Sequence, residues 1–127
     1  MFQIDVLSRT PVDEQIVSQM ERFVLTGVLA PGSQLPSVRT LSVELAINPT
    51  TIQRAYTELD RKGVICSVPG NGCFVSESAV RVLSEMKREK LVDLKGLVWE
   101  MKLAGVTKEE LQTLLSQVYE GEEVTGV

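Results

Sequence analysis

Thr50, Gln53, Arg54 and Thr57 recur at steps of three and four, so they share one side of any helix that holds them. That side carries hydroxyls, an amide and a guanidinium, and no carboxylate. Such groups hydrogen-bond to base edges and phosphate oxygens, and the missing acid avoids repelling a polyanion. Glu58 and Asp60 lie off the polar stripe. The opposite side carries Ile52, Ala55, Tyr56 and Leu59 at i, i+3, i+4 and i+7, the pattern of a buried helical face. This is chemistry of recognition rather than of bond breaking. The chain has no histidine, which excludes imidazole acid–base work, Ser-His-Asp and Cys-His nucleophiles, and histidine metal sites. Neither phosphate-cradling glycine motif, G-x-x-x-x-G-K-[ST] or G-x-G-x-x-G, is present. No enzymatic activity, cofactor or metal site is expected.

The elements that must hold these residues have clear punctuation. Asn48 caps and Pro49 opens a helix that Gly63 ends, so residues 49–62 are predicted as one helix. Ser37 caps a preceding helix with Val38, Leu41 and Leu45 on its apolar face. Together they predict a helix-turn-helix with residues 49–62 as the recognition helix. Such shapes recur in helical proteins, so an ordinary helix pair has the same spacing.

Upstream, Phe2 to Val6 alternate apolar and polar and predict a short strand. Thr10-Pro11 signals a helix running to about Leu25, with Val12, Ile16, Met20, Phe23 and Val24 buried and Phe23 central. Packed under the helix-turn-helix, it completes a three-helix core. Downstream, Val64, Ile65 and Val68, then Phe74 and Val75, predict two strands around the tight turn Pro69-Gly70-Asn71-Gly72. A hairpin there is the wing of a winged helix. Its glycines, with Asn71, bring backbone N–H groups close to a phosphate or the minor groove. An ordinary hairpin edge gives the same pattern. With the turn centred on Gly70-Asn71, residue 66 pairs with 75 and 68 with 73. Cys66 and Cys73 are then diagonal neighbours roughly 7–8 Å apart, at or beyond disulfide reach. They are read as small strand residues, with a redox switch or a two-ligand metal clip as the alternative.

From Ser78 the chain is helical again. Val80 and Leu83 start a stripe that continues through Leu91, Leu94, Val98 and Met101 in heptad-like steps. Gly105 breaks it, and Thr107-Lys-Glu-Glu110 forms a capping box before Leu111, Leu114, Leu115, Val118 and Tyr119. The tail from Glu120 is expected to fray. The domain division is 1–77, winged helix-turn-helix, and 78–127, a two-helix region. Two helices in roughly 45 residues bury too little surface to stand alone. Leu91, Leu94, Val98, Trp99, Met101, Leu111 and Leu115 are the candidate homodimer interface; folding back on the winged domain is the alternative. A twofold dimer would present two recognition helices to a palindromic site on double-stranded DNA.

The fold class is mainly α with small β. Hydrophobic content of 43% and charged content of 24% are those of a soluble globular chain. No apolar run reaches the ~20 residues of a membrane span and no secretory signal is present, so a cytoplasmic location without membrane partners is expected. The net charge is −4, against the basic balance common in DNA-binding domains. Residues 1–78 carry 6 Lys and Arg against 8 Asp and Glu, and residues 79–127 carry 7 against 9, so neither part is basic. A DNA-facing patch must come from local placement. A winged-helix module for protein interaction is the competing class.

Three stretches carry a resemblance to a known family. They are Gly27-Val-Leu-Ala-Pro-Gly-Ser-Gln-Leu-Pro-Ser-Val-Arg-Thr-Leu, Asn48-Pro-Thr-Thr-Ile-Gln-Arg-Ala-Tyr-Thr-Glu-Leu, and Gly63-Val-Ile with Gly70-Asn-Gly-Cys-Phe-Val. They resemble the DNA-binding domain of GntR-family transcriptional regulators over about residues 2–76. The short helical C-terminal part and the Asn-Pro start look like the YtrA subfamily. The resemblance implies a homodimeric bacterial repressor, often of transporter operons. It implies DNA contacts by Arg39, by Thr50 and Thr51, by Gln53 in place of a base-reading arginine, by Arg54, and by wing glycines Gly70 and Gly72. Ser37, Asn48, Thr57 and Asn71 complete the candidate DNA-binding set. Pro69 and Asn71 stand where the family wing usually has Arg and Lys, and Pro49 replaces an arginine of other branches. Both departures predict modest affinity. An unidentified small-molecule effector between the dimer helices and the winged domain is compatible with this arrangement, though no polar cluster identifies it.

Overall fold

A computed structural model describes residues 1–121. The elements in chain order are α1 (Val12–Leu25), α2 (Val38–Leu45), α3 (Pro49–Lys62), β1 (Ile65–Val68), β2 (Gly72–Val75), α4 (Ala79–Glu89), α5 (Leu91–Leu103) and α6 (Lys108–Tyr119). The chain divides into two compact units, Met1–Glu85 and Met86 onward. The first extends past residue 77 because Ala79 and Leu83 of α4 are fully buried in its core. The boundary therefore falls inside α4, not before it at 77/78 as expected.

In the first unit α3 packs against both α1 and α2. Its caps are local. The Asn48 side chain accepts from the Thr50 N–H at 2.8 Å, and Gly63 closes the helix at φ +83°. Ile52, Ala55, Tyr56 and Leu59 are buried, as their spacing requires. The turn between α2 and α3 is held by buried Ser42, whose hydroxyl donates to the Ile47 carbonyl at 2.5 Å. Ala46 sits there in the left-handed region at φ +54°.

Three local expectations change. Residues 2–6 form no strand. Their backbone pairs instead with two carboxamides of α1. The Gln3 N–H donates to Gln19 Oε1 and the Gln19 amide donates to the Gln3 carbonyl, at 2.9 and 2.6 Å. Gln15 makes the same two bonds with Asp5, at 2.9 and 2.8 Å. The alternation survives because Phe2 and Ile4 pack on the core. The Thr10 side chain does not cap α1, whose N-cap position is Pro11. Phe23 is not central. It is half-buried and meets Phe2 edge-on at 5.3 Å, while Ile16 and Met20 fill the core.

β1 and β2 pair antiparallel, with Ile65 opposite Val75, Cys66 opposite Phe74, Ser67 opposite Cys73 and Val68 opposite Gly72. The register differs by one from that expected. Pro69 and Gly70 (φ +82°) form the centre of the turn, and the Asn71 N–H closes it on the Val68 carbonyl at 2.9 Å, the arrangement of a type II turn. Gly72 then starts the return strand. Because opposed residues share a face and neighbours alternate, Cys66 and Cys73 lie on opposite faces of the hairpin and are not diagonal neighbours.

In the second unit, α5 begins after a break at Lys90, whose N–H bonds three residues back to the Lys87 carbonyl at 3.1 Å. Val80 is exposed and does not open the expected stripe. α4 buries Ala79 and Leu83 instead, and a stripe continued from them would next have to bury Lys87 and Lys90, so it does not run on into Leu91. The C-terminal part thus contains α5 and α6 together with the end of α4. Gly105 turns the chain at φ +91°, and both bonds of the Thr107–Glu110 capping box are present. The expected fraying from Glu120 falls mostly on residues 122–127, outside the described ones.

Candidate nucleic-acid interface

α3 presents its polar side outward because its other side is fixed in the core. Thr50, Gln53, Arg54 and Thr57 are exposed, and Thr51 is half-buried. The Gln53 amide donates to the Thr57 hydroxyl one turn on, at 3.2 Å, which orients both side chains. Arg39 is exposed on α2. Neither Arg39 nor Arg54 forms an ion pair among the described residues, so both guanidiniums keep their donors available.

The capping residues are committed locally. Asn48 accepts from Thr50. Ser37 accepts from the Thr40 N–H at 3.0 Å and donates to the Thr40 hydroxyl at 2.8 Å.

An open groove runs between α3 and the hairpin. Ser37, Gln53 and Thr57 line it with Gly70, Gly72 and Cys73. It also contains Asp60 and Arg61. Arg61 sits one turn beyond Thr57 and was missed by the sequence reading, although the same i+4 step locates it. It is paired with Glu58, through contacts of 2.9 Å from Nε and 2.5 Å from Nη2. Those hydrogen bonds hold the Glu58 carboxyl below its usual value. Asp60 does not lie off the polar stripe as expected: three residues beyond Thr57, it places one carboxylate in the same groove, so the acid-free surface is confined to the first two turns of α3.

Arg54 does not share this groove. It lines a separate hollow between α1 and α3 with Asp13, Glu14, Glu21, Glu58 and Lys62. The Lys62 ammonium pairs with the buried Glu21 carboxylate at 3.5 Å. Arg39, Asn48, Thr50, Thr51 and Asn71 belong to neither lining. A second residue escaped the sequence reading. Gln34, before α2, donates from its side-chain amide to the Asn71 carbonyl at the hairpin tip, at 3.1 Å. Its partner lies 37 positions away, and no local signal announces it.

The candidate dimer residues fall on α5 and α6. Leu91, Leu94, Val98, Trp99 and Leu115 are exposed, and Met101 and Leu111 are half-buried. Val92, Leu97 and Leu103 are exposed as well, so apolar residues surround α5 rather than forming a single stripe. Lys102 Nζ stands 5.3 Å over the Trp99 ring, close enough for a cation–π contact. No group of acids and cysteines able to hold a metal occurs among the described residues. No helix among them is long and apolar enough to cross a membrane.

Residues 12–75 match the family model described as bacterial regulatory proteins, gntR family. The HTH-type transcriptional repressor YtrA of Bacillus subtilis (strain 168) is 40% identical over 119 residues, covering 93% of this chain and 92% of that protein. A crystal structure of a transcriptional regulator from Oenococcus oeni is similar with a TM-score of 0.73 at 30% identity, covering 94% of this chain and 99% of that one. A GntR family transcriptional regulator from Listeria monocytogenes gives 0.71 at 32% identity, covering 87% and 96%.

Proposed function

The chain belongs to the gntR family of bacterial regulatory proteins, which makes it a helix-turn-helix transcriptional regulator, and from that premise we propose that it is a homodimeric repressor of a transporter-type operon. In this reading it works in the cytoplasm on a palindromic operator, with α3 in the major groove. The observation that supports it is the outward side of α3. Thr50, Gln53, Arg54 and Thr57 are all exposed on the helix whose other side is fixed in the core.

The roles divide by chemistry. Arg39 and Arg54 are the phosphate or guanine contacts. Thr50, Thr51, Gln53 and Thr57 hydrogen-bond to base edges or phosphates. Ser37 and Asn48 set the helix starts from which these side chains project. Gly70, Asn71 and Gly72 bring the wing backbone to the duplex. The exposed apolar surface of α5 and α6 is covered by the same surface of a second copy. A twofold dimer then places the two α3 helices at half-sites one DNA turn apart, or a multiple of it.

An interaction module for a protein partner is the second reading. The uncharged tip Pro69–Gly72 and the net charge of −4 favour it. Arg39→Ala and Gln53→Ala distinguish the two. Losing a phosphate contact weakens all duplexes alike and flattens the salt slope, while losing a base contact relaxes preference at one position by about 1–3 kcal/mol. Parent-like binding by Arg39→Ala would remove its assigned role, and an absence of salt-dependent duplex binding would favour the protein partner.

A further inference from the structure

We propose that Gln34 is the positioning residue that holds the wing tip in register with the recognition helix; this rests on the DNA-binding reading above.

The stretch 32–35 runs along the free edge of β2. The Gly32 N–H donates to the Val75 carbonyl at 2.8 Å, the Val75 N–H to the Ser33 carbonyl at 2.9 Å, and the Leu35 N–H to the Cys73 carbonyl at 2.8 Å. That backbone pairing stops at Cys73, short of the tip. The Gln34 side chain carries the support further, donating to the Asn71 carbonyl at 3.1 Å. Gly72 makes room for it. A Cβ built there would lie 2.9 Å from Gln34 Nε2 and would push the amide aside, and the backbone at φ +111° itself favours glycine.

The same stretch is anchored to α3. Leu35 is buried, and the next residue, Pro36, accepts a hydrogen bond from the Tyr56 hydroxyl at 2.7 Å. A short path thus leads from the middle of α3 through Pro36 and Gln34 to the Asn71 carbonyl. The tip has no charged side chain between Val68 and Gly72. Whatever it contributes on DNA comes from backbone N–H groups and the Asn71 amide, and those groups favour binding only when their geometry is set beforehand. Gln34 is itself exposed, so replacing it opens no core cavity.

The test is Gln34→Met in the full chain, which keeps length and bulk and removes the donor. Two readouts are compared with the parent: amide exchange at residues 70–73 in the free chain, and hydroxyl-radical protection of a duplex from the protein's own promoter region. The expected result is faster exchange confined to the tip and an unchanged unfolding midpoint. Protection should be lost at the flanking positions and kept over the half-site cores, with binding about fivefold weaker, the equivalent of one neutral hydrogen bond. Unchanged exchange, or faster exchange with an unaltered protection pattern, overturns the proposal. If the parent protects no sequence over a scrambled competitor, the DNA-binding reading fails and takes this proposal with it. That outcome is separate from a parent that protects DNA and a variant that protects it identically.

Discussion

Tyr56 donates its phenolic hydrogen to the Pro36 carbonyl across 2.7 Å, fastening the middle of α3 to the residue just before the cap of α2. Tyr56 is buried. Burial, then the Cys73 thiol, then the Glu44 carboxylate push its phenol well above the usual value of 10.0. The hydroxyl therefore stays a donor throughout the ordinary pH range, and the crossing of α2 and α3 is set by a bond that mild pH changes do not touch.

Tyr56→Phe leaves the Pro36 carbonyl without this partner and should lower stability by about 1–2 kcal/mol at pH 7. The linkage has a definite sign. The unfolded tyrosine ionises near 10 while the folded one resists, so the parent's stability is whole below pH 10.0 and falls as pH rises beyond it. The variant has no phenol to ionise. Urea denaturation at pH 7 and above pH 10 should show the gap between the two narrowing; a gap that widens in alkali would contradict this account.

Ala46 occupies the left-handed region at φ +54° in the turn between α2 and α3. An L residue with a Cβ is disfavoured there, and glycine is not. Ala46→Gly should raise stability by about 0.5–1 kcal/mol, since the relief exceeds glycine's extra entropy in the unfolded chain. A scanning-calorimetry midpoint below the parent's would show that the turn is not strained.

Cys66 and Cys73 face opposite sides of the hairpin, Cys66 exposed and Cys73 half-buried beside the Ser67 hydroxyl at 3.5 Å. Mild oxidation should yield no intramolecular disulfide, and alkylation followed by mass spectrometry should label Cys66 faster than Cys73. Recovery of a peptide joining the two would show that the hairpin register is wrong.

Trp99 is 57% exposed and is flanked on α5 by exposed Leu94, Leu97 and Val98. Placing charges in that surface should break self-association. Leu94→Glu with Val98→Glu should sediment as a single chain of 14.0 kDa, while the parent is expected at twice that mass. A double variant that still pairs would move the dimer contact elsewhere.

Much of the first unit was legible because its signals are local. Asn48, Pro49 and Gly63 mark both ends of α3, and the step pattern of Ile52, Ala55, Tyr56 and Leu59 fixes which side is buried. The features that were misread depend on partners distant in sequence. Phe2 to Val6 look like a strand, but their hydrogen-bond partners are the amides of Gln15 and Gln19. The hairpin register turned on whether Pro69-Gly70 or Gly70-Asn71 forms the turn centre, a difference of one residue that moves a cysteine to the other face. Gln34 reads as an ordinary loop residue until its contact with Asn71 is seen. In the candidate interface, helical spacing grouped Arg54 with Gln53 and Thr57. Its place beside Glu58 and the acids of α1 required the packing of α1 on α3.

The central claim is that this chain recognises particular duplex DNA through α3. Fluorescence anisotropy of the purified full chain against a duplex from its own promoter region, across salt concentrations and with a scrambled competitor, tests it most directly. The account predicts binding that exceeds the competitor and falls linearly with the logarithm of salt concentration, with a slope that counts phosphate contacts. Arg39→Ala should shorten that slope by about one contact. Weak binding equal to the competitor's, with no dependence on salt, would contradict the account and place the protein-partner reading first.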